Sequence, residues 1–432
     1  MVVSFKHPCN SQPLLCTSSV LQARVRWAEY VELAALFFLQ MMAAGIWTVP
    51  LSRVLQAHGL GGIRAYAYAT SGVAAFVSPL IFGAIADRHV SPVRVLRWLA
   101  VACAGALSLA TWSVGQHWPA ALVLVLIQLY SFCASPASSL TSTIVFSRLR
   151  NSQRQFGPIR AAATCGWMCG CWLISALNAD ASTLAGRIGA SAWIALALFT
   201  FWLPSVPPPP SLGRVSFKER MGWDALVLLK HPDHRVVFIT TALYAIPLAA
   251  FYPYTPPHLQ ELGFSRTSAW MSLGQITEII SMLALATLFS QWRLKWIFGA
   301  GLVFGIIRFL LCALNGPAWL LAGVTLHGFS FTLFFITAQI YLNERVETAW
   351  RARAQALMSL MNSGVGNLVG YLGAGLWFEV CTQPHGTHWP LFWNGVALAV
   401  ACVAIYFLTA YHGRGGGLIR EQHHELPSES LK

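Results

Sequence analysis

Apolar residues are grouped along the chain into runs of about 20, separated by short polar stretches, and this is the length that an α-helix needs to cross a bilayer. In the first half the runs lie near 30–51, 65–86, 93–114, 118–143, 158–178 and 184–203. In the second half they lie near 236–257, 268–290, 295–314, 317–341, 353–378 and 389–411. The pattern predicts an all-α membrane protein with twelve transmembrane helices.

The twelve runs form two sets of six, nearly equal in length, which suggests a duplicated six-helix unit. Between the sets lies a polar segment that begins LPSVPPPPSLGR, and its proline run favours an extended connector. The first 26 residues are polar and lack the apolar core of a cleavable signal peptide. We therefore expect a tail, two bundles, a linker between them and a second tail, at 1–26, 27–203, 204–235, 236–411 and 412–432.

Small residues recur where helices would pack together. Gly166 and Gly170 form one GxxxG pair, and Gly301 and Gly305 form another. Such pairs allow two helix backbones to approach closely within a membrane. We expect both pairs to be structural.

The composition agrees with a membrane protein, since 56% of the 432 residues are hydrophobic and 10% are charged. A soluble domain would have about a quarter of its residues charged. The formal net charge of +13 does not indicate a nucleic-acid partner, because Lys and Arg collect in cytoplasmic loops. Most of the 28 Lys and Arg residues fall on the side that includes both tails and the linker. We expect both termini in the cytoplasm and the chain in the (inner) plasma membrane.

The cysteines give no sign of a metal site. Cys165, Cys169 and Cys171 are close together, but no His or acid accompanies them within their apolar span. The sequence also lacks a phosphate-binding loop and a nucleophile elbow. We therefore expect no cofactor and no enzymatic activity, and we expect a monomer.

One acid lies in the middle of the eighth apolar run. Glu278 is about eleven residues into that run, hence roughly 16 Å deep at 1.5 Å per residue. Gln275 precedes it by three residues and shares its helix face. Ionisable groups at this depth usually face a cavity or a partner. Two interpretations remain: a functional site, or a structural ion pair between Glu278 and Arg308 of the ninth run.

A second polar face occurs in the fifth run, within FGPIRAAATCGWMCG. Arg160, Thr164 and Trp167 are spaced i, i+4 and i+7 and so lie on one side of a helix. A cation, a hydroxyl and an aromatic plane together suit a sugar or a heterocyclic base. The alternative is that Arg160 only flanks the span on its positively charged side.

Three other stretches carry candidate residues. In YAIPLAAFYPYTPPHL, several prolines interrupt the helix, and Tyr252 either stacks on a ligand or belongs to the interfacial aromatic belt. His327 and Phe331 are one turn apart, and His327 either relays protons or packs between helices. In GAIADR, Asp87 and Arg88 can cap a helix or latch the two halves together.

Taken in order, these stretches resemble the nucleoside:proton symporter branch of the major facilitator superfamily. The similar segments are FLQMMAAGIW, SPLIFGAIADR, FGPIRAAATCGWMCG, SLGQITEIISML, GIIRFLLCAL, LHGFSFTLFF and RARAQALMSLMNSGVGNLVG, between about residues 27 and 378. The resemblance implies two pseudo-symmetric six-helix bundles that rock about a central site. It also implies that substrate contacts Arg160, Thr164, Trp167, Gln275, Glu278 and Phe331.

Two departures from the family concern the substrate. Nucleoside carriers place amide side chains on the seventh span, where this chain has Pro247 and Ala250, and an Asp on the tenth span, where this chain has Thr332. The expected function is proton-coupled symport of a nucleoside or similar small polar solute, with Glu278 carrying the proton. The alternatives are a proton-coupled sugar or aromatic-acid carrier on the same fold and a transporter-like sensor that does not transport.

Overall fold

The computed structural model describes residues 14–86, 91–149, 152–204, 223–347 and 350–413, and the predicted residues Asp87 and Arg88 lie outside them. Within these residues, helices occupy all twelve predicted spans. Spans 1 to 6 are Leu14–Thr48, Arg64–Ala86, Pro92–Gly115, Ala120–Arg148, Ser152–Ala176 and Leu184–Phe199. The helix of span 1 begins inside the segment that the sequence predicts as a tail.

The second six spans are less regular. Span 7 comprises Pro232–Leu248 and Phe251–Glu261, span 8 comprises Thr267–Met271 and Leu273–Gln291, span 9 is Leu294–Ala313, and span 12 is Trp389–Ala410. Span 10 runs through Pro317–Thr325, His327–Phe331, a π-helical turn at Thr332–Ile336, and Thr337–Arg345. Span 11 runs through Arg351–Ser359, a π-helical turn at Leu360–Gly366, and Asn367–Cys381.

Short elements join some of the spans. They are the helices Leu51–Ala57, Gly61–Ile63 and Trp223–Lys230, and a two-stranded antiparallel hairpin of Thr382–Gln383 and Gly386–Thr387. Judged by length and hydropathy alone, seven helical stretches of the described residues qualify as membrane spans. The helix of span 6 is apolar but only 16 residues long.

Each half of the chain has its own apolar core. In the first half, Trp47, Leu107 and Trp193 belong to one buried cluster. In the second half, Phe298 and Trp393 belong to another. Because spans 1 to 6 bury their side chains mainly against one another, and spans 7 to 12 do the same, the chain folds as two six-helix bundles.

Close backbone packing in the first bundle depends on the predicted glycine pair of span 5. A Cβ atom at Gly166 would overlap the carbonyl oxygen of Phe38, and one at Gly170 would lie 2.8 Å from the carbonyl oxygen of Met42. Span 5 therefore lies directly against the backbone of span 1, and the prediction of a structural role for this pair is confirmed.

The two bundles are joined by a buried carboxylate at one end of the molecule. Asp180, in the loop after span 5, accepts hydrogen bonds from the Ser268 amide (2.6 Å) and the Ser175 hydroxyl (3.1 Å). The Ser175 hydroxyl in turn accepts a hydrogen bond from the Ala269 amide at 2.9 Å. Asp180 therefore caps the first turn of span 8, where free amides favour a negative charge. We call Asp180, Ser175 and the Ser268 and Ala269 amides the outer latch.

Further contacts between the bundles lie on the same side of the midplane. The Trp172 indole donates to the Ser272 hydroxyl at 2.8 Å, and the Ser52 hydroxyl donates to the Pro253 carbonyl oxygen. Gly72 of span 2 lies directly against the backbone of Leu368 in span 11. The bundles are thus closed together at the end that contains the outer latch.

Gly166→Ala should destabilise the protein, because the added Cβ forces spans 1 and 5 apart. Overpacking of this kind costs about 1–3 kcal/mol of the free energy of unfolding. Gly105→Ala is the matched control, because Gly105 is also helical and no atom lies within 4 Å of the position that its Cβ would take. Thermal unfolding in detergent should show a lower midpoint for Gly166→Ala and an unchanged or higher midpoint for Gly105→Ala. Equal midpoints for the two variants would contradict the packing described here.

Asp180→Ala should open the latched end of the molecule. Loss of hydrogen bonds to a charged group costs about 1.5–3 kcal/mol, which corresponds to roughly a 10- to 150-fold increase in the population of the open state. Cys171 of span 5 reports the change, because it is buried and packs into the core of the second bundle. Its labelling by a membrane-impermeant maleimide, followed by peptide mass spectrometry, should increase. Glu379→Ala, which removes an exposed acid at the same end, should leave labelling at the wild-type rate, and an unchanged rate in Asp180→Ala would refute the latch.

Candidate functional site

Glu278 lies at the interface between the bundles, where it meets a side chain of span 5. Its Oε1 atom accepts a hydrogen bond from the Thr164 hydroxyl at 3.2 Å. Both residues are buried, with 6% and 3% of their surface exposed. Span 8 therefore turns its acid away from lipid and toward the first bundle, as expected for an ionisable group at this depth.

Arg160 lies one turn before Thr164 on the same face of span 5. It is half-buried, and its positive charge acts on the Glu278 carboxylate. Its Nη1 atom is buried and has no hydrogen-bond partner among the described residues. The side chain is thus placed to compensate the charge of Glu278 while keeping a donor free. This position distinguishes Arg160 from a cation that only flanks a span.

Gln275 and two aromatic residues extend the site toward the outer latch. The Gln275 amide nitrogen donates to the Tyr252 hydroxyl at 3.5 Å, and the rings of Trp167 and Tyr252 are 5.8 Å apart. The Gln275 Oε1 and Trp167 Nε1 atoms are buried and lack hydrogen-bond partners among the described residues. Buried polar atoms are normally paired. An acceptor and a donor are therefore available at this point for a polar molecule.

Tyr252 reaches this position because span 7 is broken just before it. Pro247 lies in the last turn of the first helix, and Ala249 and Ala250 separate the two helices. Such breaks are tolerated in a membrane where the backbone is surrounded by protein or lines a cavity. The break directs Tyr252 inward between Trp167 and span 10, so Tyr252 does not belong to the interfacial belt.

Span 10 contributes a row of stacked rings. The His327 ring stacks on Phe251 at 4.5 Å and lies 5.9 Å from the ring of Phe331. Tyr252 meets His327 edge-on at 6.2 Å. Phe331 is half-buried, so part of its ring remains available. A π-helical turn follows it at once, and such turns are frequent at functional sites.

Arg308 pairs with His327 and not with Glu278. Its Nη1 atom lies 2.6 Å from His327 Nδ1, and its guanidinium carbon is 4.2 Å from the centre of the Phe251 ring. Arginine has donors only, so His327 Nδ1 is the acceptor and the neutral imidazole carries its proton on Nε2. A second proton on His327 would place two cations side by side in a buried position. This geometry favours the packing interpretation of His327.

The structure adds residues that sequence reasoning missed. Phe251 contacts both His327 and Arg308, and Asp180 joins the two bundles at one end. Neither stands out in the sequence, because one is an ordinary apolar residue and the other is an acid in a loop. Of the departures noted above, Thr332 is fully buried and its hydroxyl has no hydrogen-bond partner in the described part of the chain, and Ala250 is buried. Among the described residues no group of His, Cys, Asp or Glu side chains is arranged as a metal site.

The arrangement therefore combines a carboxylate, a cation, a hydroxyl, an amide and two aromatic rings where the bundles meet, and the ring of Phe331 lies next to His327 on span 10. Residues of spans 5, 7, 8 and 10 contribute to it, namely Arg160, Thr164, Trp167, Tyr252, Gln275, Glu278 and Phe331. Such a group can hydrogen-bond a polyhydroxylated molecule and stack on a planar one. It can also hold a proton on Glu278 without direct contact with lipid.

Sequence comparisons agree with this geometry. The sequence model of the family described as Nucleoside H+ symporter matches residues 29–414. A relative named for nucleoside transport, YegT of Escherichia coli (strain K12), is 31% identical over 397 residues, which cover 87% of this chain and 92% of the relative. The nucleoside permease NupG of the same organism is 26% identical over 406 residues, covering 87% and 95%. A xanthosine permease of that organism is 25% identical over 400 residues, with the same coverage.

Solved structures agree as well. The crystal structure of the nucleoside transporter NupG superimposes with a TM-score of 0.76 at 25% identity, covering 88% of this chain and 98% of that one. A peptide transporter, POT, superimposes with a TM-score of 0.69 at 14% identity, covering 88% and 94%, which shows a shared fold alone. This chain is thus a membrane transporter with the major facilitator fold, not an enzyme, and it belongs to the nucleoside H+ symporter family.

Proposed function

We propose that the protein carries a nucleoside together with a proton by alternating access, and that Glu278 holds the proton. The observation that carries this proposal is the hydrogen bond between Glu278 and Thr164, because it joins a titratable group to the opposite bundle at mid-membrane. A change in the charge of Glu278 therefore acts directly on the contact between the two moving parts.

The chemistry of the site supports a nucleoside as the solute. Trp167, Tyr252 and Phe331 offer aromatic faces for a planar base. Arg160, Thr164 and Gln275 offer the hydrogen-bonding groups that ribose hydroxyls need. Relatives named as nucleoside transporters and permeases support the same class. Thr332 supplies a hydroxyl in place of the family's acid, so we expect a pattern of nucleoside preference that differs from those relatives.

The proposed coupling follows from the energetics of a buried charge. An ionised carboxylate in a dry interior is costly unless a cation and hydrogen bonds compensate it. Glu278 has Arg160 and Thr164 for this purpose, and both belong to the opposite bundle. When the bundles move apart at this point, Glu278 loses both groups, and binding a proton removes the charge. Substrate that engages Arg160 and Thr164 competes for the same groups, which links its binding to the proton.

The proposal also gives the protein an orientation in the membrane and a cellular location. The distribution of Lys and Arg supports cytoplasmic termini and an inner-membrane location. With that orientation the outer latch faces away from the cytoplasm, and the conformation described here is closed to the outside. We further propose a monomer with bundles at 27–203 and 236–411, joined by a cytoplasmic linker at 204–235 and flanked by cytoplasmic tails.

Glu278→Gln tests the proton role. In proteoliposomes with an inward proton gradient, wild type should accumulate radiolabelled uridine, adenosine or xanthosine, whereas the variant should lose gradient-driven accumulation and retain solute exchange. Gln keeps an acceptor for Thr164 but cannot be ionised. His327→Gln is the control, because Gln can still accept from Arg308, and it should keep gradient-driven accumulation. If Glu278→Gln accumulates solute at the wild-type rate, Glu278 is not the proton carrier. Loss of accumulation in His327→Gln would assign the proton role to His327.

The wild-type arm of the same assay tests the solute class. A sensor would bind nucleosides without any flux, and a sugar carrier would accumulate a sugar in their place. Absence of uptake for every nucleoside, with uptake of a sugar, would end the nucleoside proposal while leaving the fold and the proton role intact.

One proton should accompany each neutral nucleoside. The buried acids among the described residues are Asp180, Asp233 and Glu278, and only Glu278 lies away from the ends of the spans. Each transport event should then move one positive charge across the membrane. A membrane potential of 100 mV supplies about 2.3 kcal/mol per charge, which should sustain about 50-fold accumulation of the nucleoside. Reversal-potential measurements in proteoliposomes give the ratio directly. A ratio of two protons per nucleoside would require a second carrier and contradict this assignment.

A further inference from the structure

A groove on the outside of the second bundle is not used by the proposed transport cycle. It has a volume of about 590 Å³ and lies among the ends of spans 8, 9 and 12. The residues that shape it are Trp292, Arg293, Trp296, Gly299, Val303 and Leu408. We call this the span 9 groove.

The floor of the groove is apolar and long enough for part of an acyl chain. Trp296, Gly299 and Val303 follow one another along one face of span 9 and cover roughly 10 Å at 1.5 Å per residue. Gly299 leaves open space, since a Cβ there would meet only Leu408, at 3.5 Å. Beyond Val303, the exposed side chains of Ile307 and Leu310 continue the same apolar face.

The mouth of the groove is cationic and aromatic. The segment QWRLKW, residues 291–296, contains Arg293 and Lys295 and no acid. Arg293 is exposed and stands immediately before the first turn of span 9. Trp292 and Trp296 have 51% and 57% of their surfaces exposed, as is typical of side chains at the level of lipid headgroups.

We propose that the span 9 groove binds an anionic glycerophospholipid from the cytoplasmic leaflet. Its phosphate would pair with the Arg293 guanidinium, whose planar donors match a phosphate group. One acyl chain would lie over Gly299 and Val303, and the indoles of Trp292 and Trp296 would flank the glycerol region. Basic pockets between helices on the cytoplasmic side are well suited to such headgroups.

Lipid titration of the purified full-length protein in neutral detergent, followed by native mass spectrometry, tests this site. Phosphatidylglycerol should bind wild type about fivefold tighter than phosphatidylcholine, which is the effect expected of one cation near a lipid phosphate. Arg293→Gln should remove that preference by weakening phosphatidylglycerol binding more than phosphatidylcholine binding, because the choline cation already neutralises the phosphate of the latter. Millimolar inorganic phosphate should not displace phosphatidylglycerol, because it has no acyl chain for the floor of the groove.

Gly299→Leu tests the floor of the groove, because the larger side chain occupies the space of the acyl chain. It should weaken the binding of both lipids by about tenfold, equivalent to about 1.4 kcal/mol. Gly373→Leu is the control, because Gly373 is a helical glycine that is exposed, lies outside the groove and has no atom within 4 Å of its Cβ position, and it should bind both lipids as wild type does. Equal affinity for the two lipids in wild type, or unchanged binding in Gly299→Leu, would overturn the proposal.

Discussion

A carboxylate inside a membrane protein is tolerated only where other groups replace the water that it has lost. In this protein those groups belong to the other half of the molecule. The Glu278 carboxylate of span 8 accepts a hydrogen bond from the Thr164 hydroxyl and interacts with the positive charge of Arg160, and both of these residues belong to span 5. Separating the bundles at this point therefore removes the groups that stabilise the ionised Glu278 carboxylate. The proposed mechanism depends on this link.

The same two spans also form the closure at the end that contains Asp180. Asp180 follows span 5 and caps the start of span 8, and Ser268 is ten residues, or about 15 Å, before Glu278 in that span. Movement of span 8 relative to span 5 thus changes both places at once. A solute that takes Thr164 and Arg160 away from Glu278 would weaken one of the contacts that hold these spans together, which gives binding a direct route to the conformational change.

Much of this arrangement could be predicted from the sequence, because it depends on local patterns. Apolar runs gave the twelve spans, and helical spacing placed Arg160, Thr164 and Trp167 on one face and Gln275 with Glu278 on another. The partner of a buried charge could not be predicted, since it depends on how helices pack. The sequence offers Arg308 as a partner of Glu278, because the two residues are in neighbouring spans. In the structure it contacts His327 and Phe251 instead.

Hydrophobic periodicity also does not predict irregular backbone. The π-helical turn in span 10 keeps the apolar composition of an ordinary membrane helix, and the outer latch joins a loop to a helix start 88 residues later. The start of span 1 at Leu14 lies in a polar segment that hydropathy assigns to a tail. These features come from long-range contacts, for which a single sequence provides no periodic signal.

The central claim is that protonation of Glu278 and binding of nucleoside are linked. Isothermal titration calorimetry in two buffers of different ionisation enthalpy measures the protons exchanged when nucleoside binds to the purified protein. We expect a net proton uptake in wild type that changes with pH, and none in Glu278→Gln. A proton exchange of the same size in both proteins would contradict it.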